Sequence, residues 1–455
     1  MRWIGLGACF AVLAVSFGIF ASFGTGDLLQ PTLATPYDSL AKSLMRGEVG
    51  VPDGAVAYEN IRVNGKNVIY FGAFPAMLRM PLLVVFPWTF GELAPLLNWL
   101  GGLFCAGALY VMFREATRRA KLSGRWAVAL ALVFSLGSPV LYLVAVPTVY
   151  QEAILWALGF SLWTIAIAYR ALRTGWSIGT LFLLSLTTAG AMLSRLTFAV
   201  PLVAILGVVF LLTSWTRREW LLSAKMIGAL ALGLLPMVLG GLFLLWYNHA
   251  RFGSPLTFLT WVGYEMESEF AAKKRAELGS FNARRVPFSF GEYLGVHADY
   301  VTPAFPWLSP WTPARPTRPD LYFSDGSEAM IPLTMASPVL ILFSLLGLAS
   351  LVRTRSPALI FASACFLVQV ALICAWYFIT YRYTAEFVPM LAVLTLAALE
   401  GPFWPKRRAT VSALLAVSVL SVAMTWVSTA RLVIHQTGIA DPFRQYLIRT
   451  IGTGR

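Results

Sequence analysis

The sequence predicts an all-α polytopic membrane protein of about eleven transmembrane helices, with two long loops on its outer side. Three observations predict it. Of 455 residues, 58% are hydrophobic and only 12% charged, with a mean hydropathy of +0.71. A soluble domain carries about 25% charged residues, so this chain has about half of what a water-facing globule needs. Apolar runs of about 17 to 25 residues recur, each long enough to cross roughly 30 Å of hydrocarbon. The loops between the runs alternate sharply in basic content.

The run 3–23 follows Met1-Arg2 and carries no charge. It is longer than a signal core and ends in Phe20, Phe23 and Gly24, not at a small-x-small cleavage site, so it reads as a first span. Residues 24–91 form the first long outer loop. Within it, Thr35-Pro36-Tyr37-Asp38 reads as a helix start with a capping threonine, a proline in the first turn and an acid three residues on. Tyr37, Leu40, Ala41, Leu44 and Met45 then repeat at helical spacing opposite Lys42, Ser43 and Arg46, an amphipathic helix suited to lying on the membrane. Asn64-Gly65-Lys66, between Ile61, Val63 and Val68, Tyr70, signals a hairpin. The apolar patch from Met80 to Phe90 is too short to span and reads as re-entrant or interfacial. Spans follow near 92–113, 127–147, 152–170, 176–194, 197–215, 226–247, 332–352, 356–377, 383–400 and 409–430, with the second long outer loop at 248–331. The chain, 1–455, reads as a single transmembrane domain.

The net charge of +14 is explained by topology. The loop 114–125 holds Arg114, Arg118, Arg119, Lys121 and Arg125, whereas 145–151 holds no charge. Assigning basic loops to the cytoplasm places sixteen basic and three acidic side chains inside, with a near-balanced outer side. The N-terminus then lies in the cytoplasm and the C-terminus outside. No nucleic-acid partner is implied.

Cys9, Cys105, Cys365 and Cys374 lie in apolar runs without a CxxC, and His249 and His297 lack ligand spacing, so no metal site is read. There is no GxxxxGK[ST] and no GxGxxG, which counts against ATP-driven transport. Tryptophans near span ends, such as Trp88, Trp99, Trp307 and Trp311, suit an aromatic belt.

No expected span has an ionisable residue at its centre. Those near the membrane gather at the outer ends: Glu152, Arg195, Arg251, Arg382 and Glu386. Asp38 has two readings, as the acid of a capping box or as a carboxylate at the lipid–water boundary that takes a proton from an acceptor hydroxyl. Glu59 is either a second carboxylate for a metal or an acceptor, or a solvated hairpin charge. Arg79, Arg195, Arg251 and Arg382 match phosphate oxygens as guanidinium forks, or anchor the chain by snorkelling. Glu152 favours a helix N-terminus, and Glu386 follows Arg382 at i+4 as an intrahelical pair. Tyr70 and Tyr383 stand beside these groups as further substrate contacts.

The stretches YDSLAKSLMRGE, YENIRVNGK and YFGAFPAMLRMP resemble the first outer loop of bacterial multi-spanning proteins related to the GT-C superfamily of polyprenyl-phosphate-sugar-dependent glycosyltransferases. VYQEAILW (149–156), LSRLT (193–197), YNHARFGSPL (247–256) and YRYTAEFVP (381–389) fit the same resemblance. It implies a GT-C-like fold in the bacterial inner membrane. Its outer loops would bind a polyprenyl-phosphate-linked sugar and transfer the sugar, with inversion, to a hydroxyl of a cell-envelope glycan or lipid. The resemblance places a general base at Asp38, with Glu59 or Glu152 assisting. The lipid phosphate leaves, and a divalent cation is compatible with this chemistry without being required. The chain departs from many relatives in lacking an acid pair after the first span, since Leu28 follows Asp27. Two alternatives stay open: a transporter or lipid flippase, because Pro139, Pro201 and Pro236 break otherwise apolar spans, and an assembly protein that keeps the fold without the chemistry, because the acid pair is absent.

Overall fold

A computed structural model describes residues 2–32, 35–56, 61–63, 65–216, 224–258, 269–303, 308, 318–322, 329–405 and 408–436. Glu59, Trp307 and Trp311 lie outside the described residues. The helices are α1 (Arg2–Ala21), α2 (Pro36–Met45), α3 (Phe74–Val85), α4 (Leu93–Arg119), α5 (Arg125–Leu136), α6 (Pro139–Ala145), α7 (Val149–Thr174), α8 (Ile178–Ser194), α9 (Leu196–Thr216), α10 (Ala224–Phe252), α11 (Glu269–Leu278), α12 (Val286–Leu294), α13 (Leu333–Ala336), α14 (Pro338–Thr354), α15 (Pro357–Ala375), α16 (Val388–Glu400) and α17 (Arg408–Gln436). The expected hairpin is present as β1 (Ile61–Val63) and β2 (Lys66–Val68), antiparallel with Ile61 opposite Val68.

Among the described residues, six helices are long and apolar enough to cross a membrane, or seven if the bent pair α5–α6 is one span. The expected spans at 3–23, 176–194, 197–215 and 332–352 coincide with shorter apolar helices, Gly7–Ala21, Ile178–Ser194, Leu196–Leu211 and Pro338–Thr354.

The chain divides into two compact units. One comprises Met1–Gly26, Asn98–Val146 and Phe270–Arg455; the other comprises Asp27–Leu97 and Pro147–Glu269. In the first, α16 packs on α14 and α15, and α1 and α17 pack on α5 and α6. Its helix breaks are chemically satisfied. Between α5 and α6 the chain turns by 52°, where Ser138 Oγ accepts the Val140 N–H at 3.1 Å, and at the far end of α6 Asn98 Nδ2 donates to the Leu143 carbonyl at 2.8 Å. Between α13 and α14, Thr425 of α17 donates to the Ala336 carbonyl at 2.7 Å, and Ser421 Oγ accepts the Val339 N–H at 3.2 Å. Backbone groups freed in an apolar surrounding need such partners, and small hydroxyls supply them without bulk.

The second unit is built on α8, which packs against α7, α9 and α10. Pro236 interrupts the α10 ladder, and Ser185 of α8 accepts the Met237 N–H beside it at 2.9 Å. Against this bundle lies the segment that carries α2, β1, β2 and α3. The amphipathic face of α2 was expected on lipid, but α3 covers it: Tyr37, Leu40 and Ala41 are fully buried in one core with Ala76, Leu83, Leu93 and Tyr247. Composition cannot distinguish the two fates, because a protein core and a bilayer attract the same apolar face.

Candidate functional site

The local sequence puts Asp38 in the first turn of α2, where Pro36 fixes the helical entry. The expected capping box does not form. The Thr35 side chain caps no N–H, and the Thr35 N–H is already satisfied by the Ala55 carbonyl at 3.0 Å. The Asp38 carboxylate turns inward instead. Its Oδ2 accepts from Arg79 Nε on α3 at 3.1 Å, and its Oδ1 accepts the Gly91 N–H at 3.3 Å. Gly91 has a left-handed φ of +87°, and a Cβ there would stand 3.2 Å from Thr35, so glycine is the residue that lets this amide face Asp38.

Arg79 joins Asp38 to Glu152 in the first turn of α7. Its Nη2 donates to Glu152 Oε2 at 2.8 Å, and its Nη1 to Glu152 Oε1 and to the Pro75 carbonyl at 3.0 Å. Asp38, Arg79 and Glu152 are 3%, 1% and 1% exposed, so this is a desolvated cluster in which two carboxyl groups share one guanidinium. Burial disfavours the charge of Arg79, but Glu152 and then Asp38 outweigh it and hold the guanidinium above its ordinary pKa. Tyr37 closes the cluster, its ring 5.4 Å from the guanidinium and its hydroxyl donating to the Val149 carbonyl at 3.2 Å. Burial, and then Glu152, pushes its phenol well above the usual tyrosine range.

From Glu152, Trp156 and Phe160 follow on one face of α7 at intervals of about 6 Å. Phe74 of α3 packs on both, at 5.7 and 4.8 Å between ring centroids. Beyond them α3, α7, α8 and α10 line an open apolar groove of about 470 Å³, with Phe74, Met77, Phe160, Gly190, Leu193 and Phe243 among its walls. A Cβ on Gly190 would meet the Phe160 ring at 2.5 Å, so glycine lets that ring lie across α8. Arg195, half-buried at the C-cap of α8, stands two residues past Leu193.

Arg251 is buried at the end of α10 and is held by oxygen atoms that carry no formal charge. Nη1 donates to the Ile69 carbonyl at 2.7 Å and the Phe71 carbonyl at 3.3 Å, and Nη2 to Asn248 Oδ1 at 2.6 Å. Its guanidinium stacks 3.8 Å from the centre of the Tyr247 ring. Arg251 thereby ties the strand end at Ile69–Phe71 to α10. One residue on, a Cβ at Gly72 would stand 2.1 Å from the Leu193 carbonyl oxygen, so loop and α8 meet backbone to backbone. Tyr70 is half-buried, 4.1 Å from Phe71.

Arg382, Tyr383 and Glu386 belong to the other unit. Residues Tyr381–Phe387 form a 3₁₀ segment where the i+4 spacing expects an α-helix. Gln369 of α15 donates to Glu386 Oε2 at 2.8 Å, and Arg382 lies over the rings of Tyr383 and Phe378 at 5.2 and 5.8 Å.

Among the described residues no group of three or more His, Cys, Asp or Glu side chains could hold a metal ion. The buried acids Asp38 and Glu152 do not fit a cation as they stand, because the Arg79 guanidinium occupies the space between them. Sequence reasoning singled out Asp38, Arg79 and Glu152 separately but missed Gly91, Gly72 and Asn248. The tight Phe71-Gly72-Ala73 and Phe90-Gly91-Glu92 settings were the available signals.

No family model and no curated protein matches the chain. In structure it is similar to the oligosaccharyltransferase of Archaeoglobus fulgidus. To the apo crystal structure the TM-score is 0.45 at 15% identity, over 98% of this chain and 59% of that one. To the form tethered to an acceptor peptide containing the NVT sequon, the TM-score is 0.46 at 13% identity, over 95% and 55%. To the complex with an inhibitory peptide and a dolichol-phosphate, the TM-score is 0.45 at 16% identity, over 95% and 56%. The chain thus spans a little over half the length of these proteins. The likeness assigns it neither a substrate nor residue roles.

Proposed function

We propose that the protein is a membrane glycosyltransferase that moves a sugar from a polyprenyl-phosphate donor to an acceptor hydroxyl, with inversion, at the outer face of the bacterial inner membrane. The observation that carries this reading is the buried Asp38–Arg79–Glu152 cluster, which shares α3 and α7 with an apolar groove of about 470 Å³. A donor of this kind is half hydrocarbon and half anion. Its tail fits the groove, which is within the range of small-molecule sites, and its phosphate meets Arg195 beyond Leu193.

Asp38 is the general base for the acceptor hydroxyl. Arg79 and Gly91 orient its carboxylate, and because Asp38 is 3% exposed the acceptor hydroxyl reaches it only when acceptor binding opens the cover of the cluster. Glu152 and Arg251 are positioning residues, the first balancing Arg79 and the second fixing the loop that leads into α3. The lipid phosphate leaves with the electron pair of the anomeric bond, and the acceptor oxygen attacks from the opposite face.

A second reading, a lipid or solute carrier, is favoured by the 52° break between α5 and α6, because carriers place broken helices at their sites. The purified protein in vesicles separates the two. Release of sugar from an added polyprenyl-phosphate sugar supports the transferase. Movement of labelled lipid or solute across the bilayer, with no release, supports the carrier.

A further inference from the structure

We propose that the end of α3 and the turn after it form a lipid-inserted anchor, and that its seating in the bilayer holds the two groups that grip Asp38. Pro81, Val84, Val85, Phe86, Pro87 and Trp88 make one continuous exposed apolar surface, and no charged side chain lies between Arg79 and Glu92. Val84, Val85 and Trp88 are 68%, 60% and 71% exposed, far more than water tolerates in a cluster of large apolar side chains.

Three observations identify the occupant as a bilayer. First, the tip lies next to a helix long and apolar enough to span, because α4 starts at Leu93, five residues past Trp88. Phe86 and Trp88, packed edge-to-face at 5.4 Å, stand at its head in the manner of an aromatic belt. Second, the backbone of the tip is satisfied internally, as hydrocarbon requires. Pro81 and Pro87 have no N–H, the Phe86 N–H donates to Leu82 at 2.7 Å, and the Phe86 carbonyl accepts both the N–H and the hydroxyl of Thr89, at 3.1 and 2.8 Å. Third, twelve residues of α3 reach about 18 Å, too short to span, so the helix can only dip into one leaflet.

The tip is bracketed by the partners of Asp38. Arg79 precedes Val84 by five residues on the same helix, and Gly91 follows Trp88 by three. If the tip leaves the lipid, α3 and the turn shift together, and both hydrogen bonds to Asp38 loosen.

The test uses the whole protein in phosphatidylcholine vesicles. All four native cysteines are buried, so a nitroxide can be placed on Val85→Cys, with Glu48→Cys as a control whose side chain is 61% exposed beside Arg46. The Val85 label should collide more with dissolved oxygen than with a water-soluble nickel chelate, and the Glu48 label the reverse. A Val85 label open to nickel, or shielded from both reagents by protein, overturns the anchor. In the same vesicles, hydrogen exchange at the Gly91 amide should rise about tenfold in Val84→Asp/Val85→Asp while α7 stays protected. Unchanged exchange at Gly91 would show that the anchor does not act on Asp38.

Discussion

Removing the guanidinium of Arg79 should be the most damaging single change in the second unit. Arg79→Met keeps the length and apolar character of the side chain and deletes every hydrogen bond to Asp38, Glu152 and the Pro75 carbonyl. Both carboxylate side chains are at most 4% exposed, so neither recovers water when its partner goes. Breaking one buried ion pair costs about 3–5 kcal/mol, and here one substitution orphans two acids. At about 2–4 °C per kcal/mol for a unit of this size, the thermal midpoint in micelles should fall by on the order of 10 °C. Asp38→Asn/Arg79→Met/Glu152→Gln should recover much of the loss, because neutral amides need no cation. A single variant within about 1 kcal/mol of native, or a triple variant less stable than the single, would refute the buried cluster as the fastener of α2, α3 and α7.

Three further outcomes follow from the same geometry. Gly72→Ala should cost about 1–3 kcal/mol, since its Cβ would stand 2.1 Å from a backbone oxygen that cannot rotate away, and an unchanged melting profile would deny the close approach of loop and α8. Leu186→Trp should partly fill the groove it lines and raise KM for a polyprenyl-phosphate donor about tenfold with kcat little changed, whereas a loss confined to kcat would mean the groove does not hold the tail. Burial, against the opposing hydrogen bond from Ser289, pushes the Tyr322 phenol up to about 12, while an unfolded tyrosine ionises near 10. Stability from this group is present below about pH 10 and lost as pH rises towards 12, so denaturant midpoints compared near pH 9 and pH 11 should shift less in Tyr322→Phe than in the native protein; equal shifts would contradict it.

Much of the helical framework was legible because apolar runs bounded by charge report apolar helices directly, and the hairpin because Asn64-Gly65-Lys66 is a local turn signal. Asp38, Arg79 and Glu152 stood out individually, as charges at the edges of apolar segments. Their union did not, since it joins residues 41 and 73 positions apart and no local period encodes such a contact. The same limit explains the two local misreadings. A capping box at Asp38 was plausible until the Ala55 carbonyl, from a later turn, satisfied Thr35. A lipid-facing α2 was plausible until α3 covered it.

Asp38→Asn tests the central claim most directly. The amide preserves the shape of the carboxylate and an acceptor for the Gly91 N–H but removes the basic oxygen. Purified variant and native protein would be given the same polyprenyl-phosphate sugar, with donor binding and sugar transfer measured side by side. If Asp38 is the base, the variant binds donor at near-native affinity and its transfer falls by a factor of about 10² or more. Normal binding with undiminished transfer would contradict it.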